Sequence, residues 1–252
     1  MIKLKINKEI KLDIPSFLCD SNPIGEHLNQ HPLTELLNAY SFLTFLGRPG
    51  SGKTSMAISM ITQKKPKIYK KCFHHIFILM PNESIKSLKK NPFAKLENIY
   101  NELNEATINE IYNKIKIHSE NDEKSLLFCD DMTADLKKSK FIIDTMKKLI
   151  YNRRHLKLNI IITAQSYVNI PLDVRKNISS LLLFKPPKKE LEIIFEELIE
   201  NKKDLFLDIM KMTFNEKHNF LFINVPTQRM FKNWDELIIS SSSDSDSDSE
   251  ID

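Results

Sequence analysis

Gly47-Arg48-Pro49-Gly50-Ser51-Gly52-Lys53-Thr54 fits the pattern G-x-x-x-x-G-K-S/T, a phosphate-binding loop. Its flanks are the ones that the pattern needs. Ser41 to Leu46 (SFLTFL) is an apolar run of strand length, and Ser55 to Ile61 (SMAISMI) reads as a helix beginning at the loop. Three of the chain's four glycines lie within these eight residues. Glycine is concentrated where backbone N–H groups must converge on phosphate oxygens with no Cβ in the way. The expected nucleotide cradle is Gly47, Arg48, Pro49, Gly50, Ser51, Gly52, Lys53, Thr54 and Ser55. In it the helix dipole favours the anion, Lys53 reaches the β- and γ-phosphates, and the Thr54 hydroxyl ligands Mg²⁺.

A phosphate loop needs acidic oxygens beside it, one for the metal and one to position a water. The run Ser125-Leu126-Leu127-Phe128-Cys129 leads directly into Asp130-Asp131, which assigns Asp130 to the metal and Asp131 to the water. A later strand, Leu158 to Ala164, stops at Gln165, a side chain able to sense or orient the γ-phosphate. Arg153 and Arg154 close the helix before it. Arginine stabilises charge on a transferring phosphoryl group and in oligomers can arrive from a neighbouring subunit; a cation at a helix C-terminus accounts for the pair equally well.

Further strands are expected at His75 to Met80, ended by Pro81, at Ser180 to Phe184, and at Phe220 to Val225. Residues 83–120 read as largely helical, with Ile108, Ile111, Tyr112 and Ile115 on one face, and a stripe of Ile142, Met146, Leu149 and Ile150 marks another helix. Helices are also expected at about 188–200 and 203–212, and a short one near Leu33 to Asn38. Continuous apolar strands alternating with helices predict an α/β fold with a mainly parallel central sheet covered on both faces. Before it, Ile2, Leu4, Ile6 and Ile10, Leu12, Ile14 alternate around Asn7-Lys8-Glu9 as a β-hairpin. The tail of alternating Ser and Asp after residue 240 cannot bury enough apolar surface to order itself. The expected units are residues 1–39, hairpin and lead-in; 40–239, the nucleotide-binding domain; and 240–252, a disordered acidic tail.

Two partial matches are set aside. Asn201-Lys202-Lys203-Asp204 fits a guanine-reading N-K-x-D but lies between helical segments, and no Asp-x-x-Gly accompanies it. Cys72, His74 and His75 cluster in sequence, but adjacent strand residues point to opposite faces and no second ligand pair has zinc-like spacing.

The chain's 252 residues suffice for one well-buried α/β domain, and 41% hydrophobic with 28% charged residues is ordinary for a globular protein. No apolar run approaches the ~18 residues of a membrane span, and the alternating N-terminus is unlike a secretory signal, so a chain that is neither secreted nor membrane-embedded is expected. Cys19, Cys72 and Cys129 cannot all pair, which suits a reducing compartment. The net charge of +4 conceals an asymmetry. Residues 240–252 hold five acids and no base, leaving 37 bases against 28 acids, or +9, in the rest. A polyanion such as nucleic acid fits that balance, as do solvated lysine surfaces.

GRPGSGKT, LLFCDD and NRRHLKLNIIITAQSYVNIPLDVRKNISSLLLF together resemble the FtsK/HerA class of P-loop ATPases, and within it the genome-packaging ATPases of poxviruses, other large DNA viruses and virophages. The resemblance covers about residues 40–185, with Arg154 eleven residues before Gln165 as the family's Arg and Gln are spaced. It implies a P-loop NTPase sheet of the additional-strand type, in which the Leu158–Ala164 strand lies between the strands of Ser41–Leu46 and Ser125–Cys129 and carries Gln165 to the γ-phosphate. It also implies ATP and Mg²⁺ as cofactors, with Lys53, Asp131, Gln165 and Arg154 catalytic and Thr54 and Asp130 at the metal. The partners implied are double-stranded DNA, held without sequence preference, further copies of the chain in a homo-oligomeric ring, and a capsid or portal protein. The expected locations are the host-cell cytoplasm or a viral factory, and the virion. Many cellular members carry Asp-Glu where this chain has Asp130-Asp131. The function expected is that of an ATP-driven DNA translocase packaging a viral genome into its capsid. Two alternatives stand beside it: a nucleotide kinase, which needs an arginine-rich lid not found here, and a nucleotide-dependent DNA-binding scaffold without turnover.

Overall fold

The computed structural model describes residues 36–64, 68–88, 91–199 and 206–238. The expected N-terminal hairpin, the Asn201–Asp204 match and the acidic tail lie outside them.

The strand before the phosphate loop, β1 (Phe42–Leu46), is buried along its whole length and sits inside a nine-stranded sheet. On one side it pairs in parallel with β5 (Leu158–Ala164), which pairs in parallel with β4 (Ser125–Asp130). Beyond β4 lie β2 (His75–Leu79) and the two-residue β3 (Ile99–Tyr100). On the other side β1 pairs in parallel with β6 (Ser180–Phe184), after which the sheet turns antiparallel through β7 (Phe220–Asn224), β8 (Arg229–Lys232) and β9 (Asp235–Glu236). The insertion of β5 between β1 and β4 is the order that the resemblance implies.

Period-two alternation divides the apolar residues between two cores. Phe42 and Leu46 of β1 face the same side as Leu127, Cys129, Ile160 and Ile162, beneath α3 (Glu105–Glu120), α4 (Lys140–Tyr151) and α6 (Lys188–Leu198). Leu43 and Phe45 face the other side with Leu126, Phe128, Ile161 and Leu182, beneath Ala57, Met60 and Ile61 of α1 (Lys53–Thr62). Each Leu, Ile, Phe or Met side chain among them, fully buried, contributes about 1.5–3 kcal/mol, so the central strands form the rigid part on which loop positions are set. Side-chain caps start two covering helices: Asn104 accepts from Thr107 N–H before α3, and Ser139 from Ile142 N–H before α4.

Three expectations need correction. Residues 83–120 are not one helical stretch: the short helix α2 (Asn82–Ser87) ends early, and Ile99 and Tyr100 extend the sheet beside Ile78 and Leu79 before α3 begins. Pro92 and the Asn104 cap interrupt helical continuity there. Of the helix expected near Leu33 to Asn38, Leu36 to Asn38 are described and are not helical, running from a turn through a bend to a single bridge residue, with Leu36 and Leu37 buried in the core. The antiparallel end is larger than the one late strand foreseen, because β8 and β9 are short, and β9 is exposed on an edge where no apolar pattern is needed. Two more α-helices, α5 (Leu172–Arg175) and α7 (Phe206–Thr213), and a 3-10 turn at Asp135–Lys137 complete the described elements.

Candidate nucleotide site

The C-terminal ends of three adjacent strands meet at one place. Leu46 lies opposite Ala164, and Asp130 opposite Thr163, so the residues following β1, β4 and β5 share one edge of the sheet. The phosphate loop leaves β1 there, and the Gly47 N–H donates to the Ala164 carbonyl at 3.2 Å. A Cβ on Gly47 would sit 2.8 Å from both Phe184 Cβ and Ser51 Oγ, so the loop passes too close to β6 for any other residue. Gly52 takes φ 106° as the N-cap of α1 and supplies no side chain to the helix's first N–H groups. Those donors are left for an anion.

Lys53 is 7% exposed, with its ammonium held against the loop by the carbonyls of Gly47 (2.7 Å) and Arg48 (3.1 Å). Two of its three protons are thereby placed. Burial lowers the ammonium pKa, and Asp131 and Asp130 act in the opposite direction. A polyphosphate entering the loop would add the counter-charge that burial withholds.

Asp130 is buried, and its Oδ1 accepts from the Thr54 hydroxyl at 2.7 Å and from the Thr163 hydroxyl at 2.8 Å. Thr163 also accepts from the Asp131 N–H at 3.0 Å, so one hydroxyl on β5 fixes both acidic residues after β4. Asp131 turns into the left-handed region, φ 53°, which Asp tolerates better than most residues. Its exposed carboxylate meets Gln165, whose Nε2 donates to Oδ2 at 2.5 Å. Beyond Gln165 the chain is anchored: Glu190 accepts from the Ser166 hydroxyl at 2.6 Å and from the Tyr167 N–H.

Beside the loop lies a cleft of about 290 Å³ lined by Arg48, Ser51, Phe184, Pro186, His218 and Asn219, among others. His218 Nδ1–H donates to the Ser51 carbonyl at 3.2 Å, which ties the segment before β7 to the phosphate loop. Neither Thr163 nor His218 is visible as a site residue in the sequence. One reads as a strand residue, the other as a lone surface histidine.

The structure therefore brings Lys53, Thr54, Asp130, Asp131 and Gln165 together on the loop, and it separates Arg154 from them. Arg154 is exposed and lines a second cleft with Tyr40, Ser41 and Ser180, at the edge where β1, β5 and β6 begin. The length of β5 lies between it and Gln165, roughly 20 Å at ~3.3 Å per residue. Of the other arginines, Arg153 donates to the carbonyls of Tyr40 and Ile150, both at 2.9 Å. Arg175 makes a two-point contact with Glu197 and lies over the Tyr167 ring.

A family model described as Poxvirus A32 protein matches residues 29–250. Among solved structures, B204, the DNA-packaging ATPase from Sulfolobus Turreted Icosahedral Virus, superposes with a TM-score of 0.57 at 17% identity, over 78% of this chain and 98% of that one. The genome packaging NTPase B204 from Sulfolobus turreted icosahedral virus 2, in complex with ATP-gammaS, gives the same four figures. EccC (ATPases 2 and 3) from Thermomonospora curvata matches with a TM-score of 0.52 at 13% identity, over 79% of this chain and 37% of that one. At such identities the likeness is one of fold. No curated protein matches the sequence.

Proposed function

Because the chain belongs to the Poxvirus A32 protein family, we propose that it hydrolyses ATP at the loop of residues 47–55 and uses the energy to drive double-stranded DNA into a viral capsid. The observation that carries this reading is the convergence of Lys53, Asp130, Asp131 and Gln165 where β1, β4 and β5 end. The uncovered N–H groups of α1 and the Lys53 ammonium receive the β- and γ-phosphates. The cleft between the loop and His218 lies where the base and ribose would extend.

Thr54 Oγ1 and Asp130 offer hard oxygen donors on one spot, a set that fits Mg²⁺. Held by these two side chains, Mg²⁺ would supply positive charge against the negative charge that develops in phosphoryl transfer. Thr163 holds Asp130 in place for that task. Asp131 accepts a proton from the attacking water, and Gln165, already hydrogen-bonded to Asp131, orients that water toward the phosphorus.

The remaining charge on the transferring phosphoryl group is met by Arg154 of a neighbouring copy, since within one chain it stands at the far edge of the sheet. The active form is accordingly a homo-oligomeric ring in which each copy completes the next copy's site. DNA is gripped by its backbone through basic surfaces, without base reading. A capsid or portal protein receives the ring, in the cytoplasm or viral factory of the host and at the virion. Among the described residues no helix is long and apolar enough to cross a membrane.

Hydrolysis stimulated by duplex DNA tests the proposal. Turnover should rise on adding duplex of any sequence, and Asp131→Asn should retain ATP while turnover falls by about 10²-fold or more. A protein that instead phosphorylates nucleosides is a kinase, and one that binds DNA with no turnover is a scaffold. Near-normal hydrolysis by Asp131→Asn would remove that residue from the chemistry.

A further inference from the structure

Among the described residues, a second concentration of ligating side chains lies away from the loop, at the edge where β2 and β4 begin. His75 opens β2, His118 occupies the last turn of α3, and Glu123 lies in the turn between α3 and β4. The two imidazoles stack with centroids 3.4 Å apart and planes 14° from parallel. His75 Nε2 is 2.9 Å and His118 Nδ1 is 3.0 Å from the same oxygen, Oε2 of Glu123.

We propose that His75, His118 and Glu123 form a transition-metal site suited to Zn²⁺, a structural clamp separate from the nucleotide chemistry. Three observations carry it. The ligand atoms all lie within 4.8 Å of one another on side chains that are each between 20% and 36% exposed, which leaves a water-accessible fourth position. Tetrahedral Zn²⁺ with bonds of about 2.0–2.1 Å needs ligand atoms about 3.3 Å apart, close to the two N···O distances, and these partly exposed imidazoles need only swing out of their 3.4 Å stack for both in-plane lone pairs to meet one ion. Without a cation, two ring nitrogens crowd onto one carboxylate oxygen as N–H donors; with one, each neutral imidazole carries its proton on its other ring nitrogen and offers the metal a lone pair beside that of the carboxylate.

The surrounding backbone holds the group ready. The N–H groups of His74 and His75 both approach the Lys124 carbonyl, at 2.9 and 3.3 Å, and the Lys124 N–H donates to His74 Nδ1 at 2.9 Å. These bonds fasten the turn carrying Glu123 to the start of β2. Phe77 packs against the His118 ring, with centroids 6.1 Å apart. Two imidazoles and one carboxylate suit Zn²⁺ over Mg²⁺ or Ca²⁺, which prefer all-oxygen sites. The metal joins β2, α3 and the turn entering β4. The sequence cluster of Cys72, His74 and His75 thus contributes one ligand: His74 is occupied by Lys124, and the Cys72 thiol donates to the Ile68 carbonyl.

The test uses the full chain stripped with a chelator and kept in millimolar Mg²⁺, so that the hard-oxygen site is filled. Titration with ZnCl₂, followed by calorimetry and thermal unfolding, should show one site per chain and a saturable rise in Tm. Neither His118→Ala nor Glu123→Gln touches the nucleotide site, and each should weaken Zn²⁺ binding by more than about 100-fold, since loss of an outer-shell partner alone costs about 10- to 100-fold. His74→Ala should bind as wild type does. Absence of Zn²⁺ uptake by the wild type, or uptake unchanged in both ligand variants, overturns the proposal. Should both variants fail to fold, zinc-edge anomalous scattering from wild-type crystals grown with ZnCl₂ takes their place. A peak among the three side chains supports the site, and a peak elsewhere or none overturns it.

Discussion

Replacing Thr163 by Val tests whether the wiring behind the acidic pair matters for chemistry. Valine matches the shape of threonine, and the site is fully buried, so the change removes a hydroxyl without opening a cavity. Two bonds go with it: the 2.8 Å donation to Asp130 and the 3.0 Å acceptance from Asp131 N–H. Neither partner is orphaned. Asp130 keeps the Thr54 hydroxyl at 2.7 Å, and Asp131 N–H keeps the Thr163 carbonyl at 3.3 Å. The dominant loss is one charge-assisted hydrogen bond, about 1.5–3 kcal/mol. In a chain of this size that lowers Tm by about 2–4 °C per kcal/mol. If all of it is carried into the barrier, turnover falls roughly 10- to 150-fold, at 1.36 kcal/mol per decade. Thr163→Ser keeps the hydroxyl and gives up one methyl group, at most about 1 kcal/mol of stability, and should restore most of the turnover. The assay is steady-state ATP hydrolysis with duplex DNA, alongside thermal unfolding of both variants. Equal turnover in Thr163→Val and Thr163→Ser would refute the claim that this hydroxyl holds the acidic pair for catalysis, whatever happened to Tm.

Gly47→Ala should cost about 1–3 kcal/mol of overpacking, because its Cβ would meet Phe184 and Ser51 at 2.8 Å, and the displaced loop should bind ATP analogues more weakly; unchanged analogue affinity would show that β6 does not limit the loop. Arg154→Ala and Lys53→Ala proteins should each be nearly inactive alone, yet recover part of the activity when mixed, because a mixed ring contains interfaces with one intact loop facing one intact arginine. Mixtures no better than either variant, at ratios that form rings, would place the finger elsewhere.

The nucleotide loop is legible in the chain because its signals are local. Three glycines, a lysine and a threonine in a span of eight residues, between an apolar strand and a helix, fix both their own geometry and their ligand. The same holds for the buried strands, whose unbroken apolar runs need a sheet covered on both faces. The site residues at strand ends, Asp130 and Gln165, could be proposed because a parallel sheet gathers those ends on one edge. Tertiary structure alone determined the rest, since it depends on contacts between residues far apart in the chain. Pairing of β4 with β5 sets the Thr163 hydroxyl between the two aspartates. The segment before β7 returns to place His218 against Ser51, 167 residues away. β8 and β9 escape notice because strands of four and two residues at a sheet edge carry too little periodicity to read. Arg154 is eleven residues from Gln165 in sequence, but an extended strand between them converts that closeness into the full height of the sheet. His75 meets Glu123 across 48 residues because β2 and β4 are neighbours and α3 ends above them, a juxtaposition that no local spacing encodes.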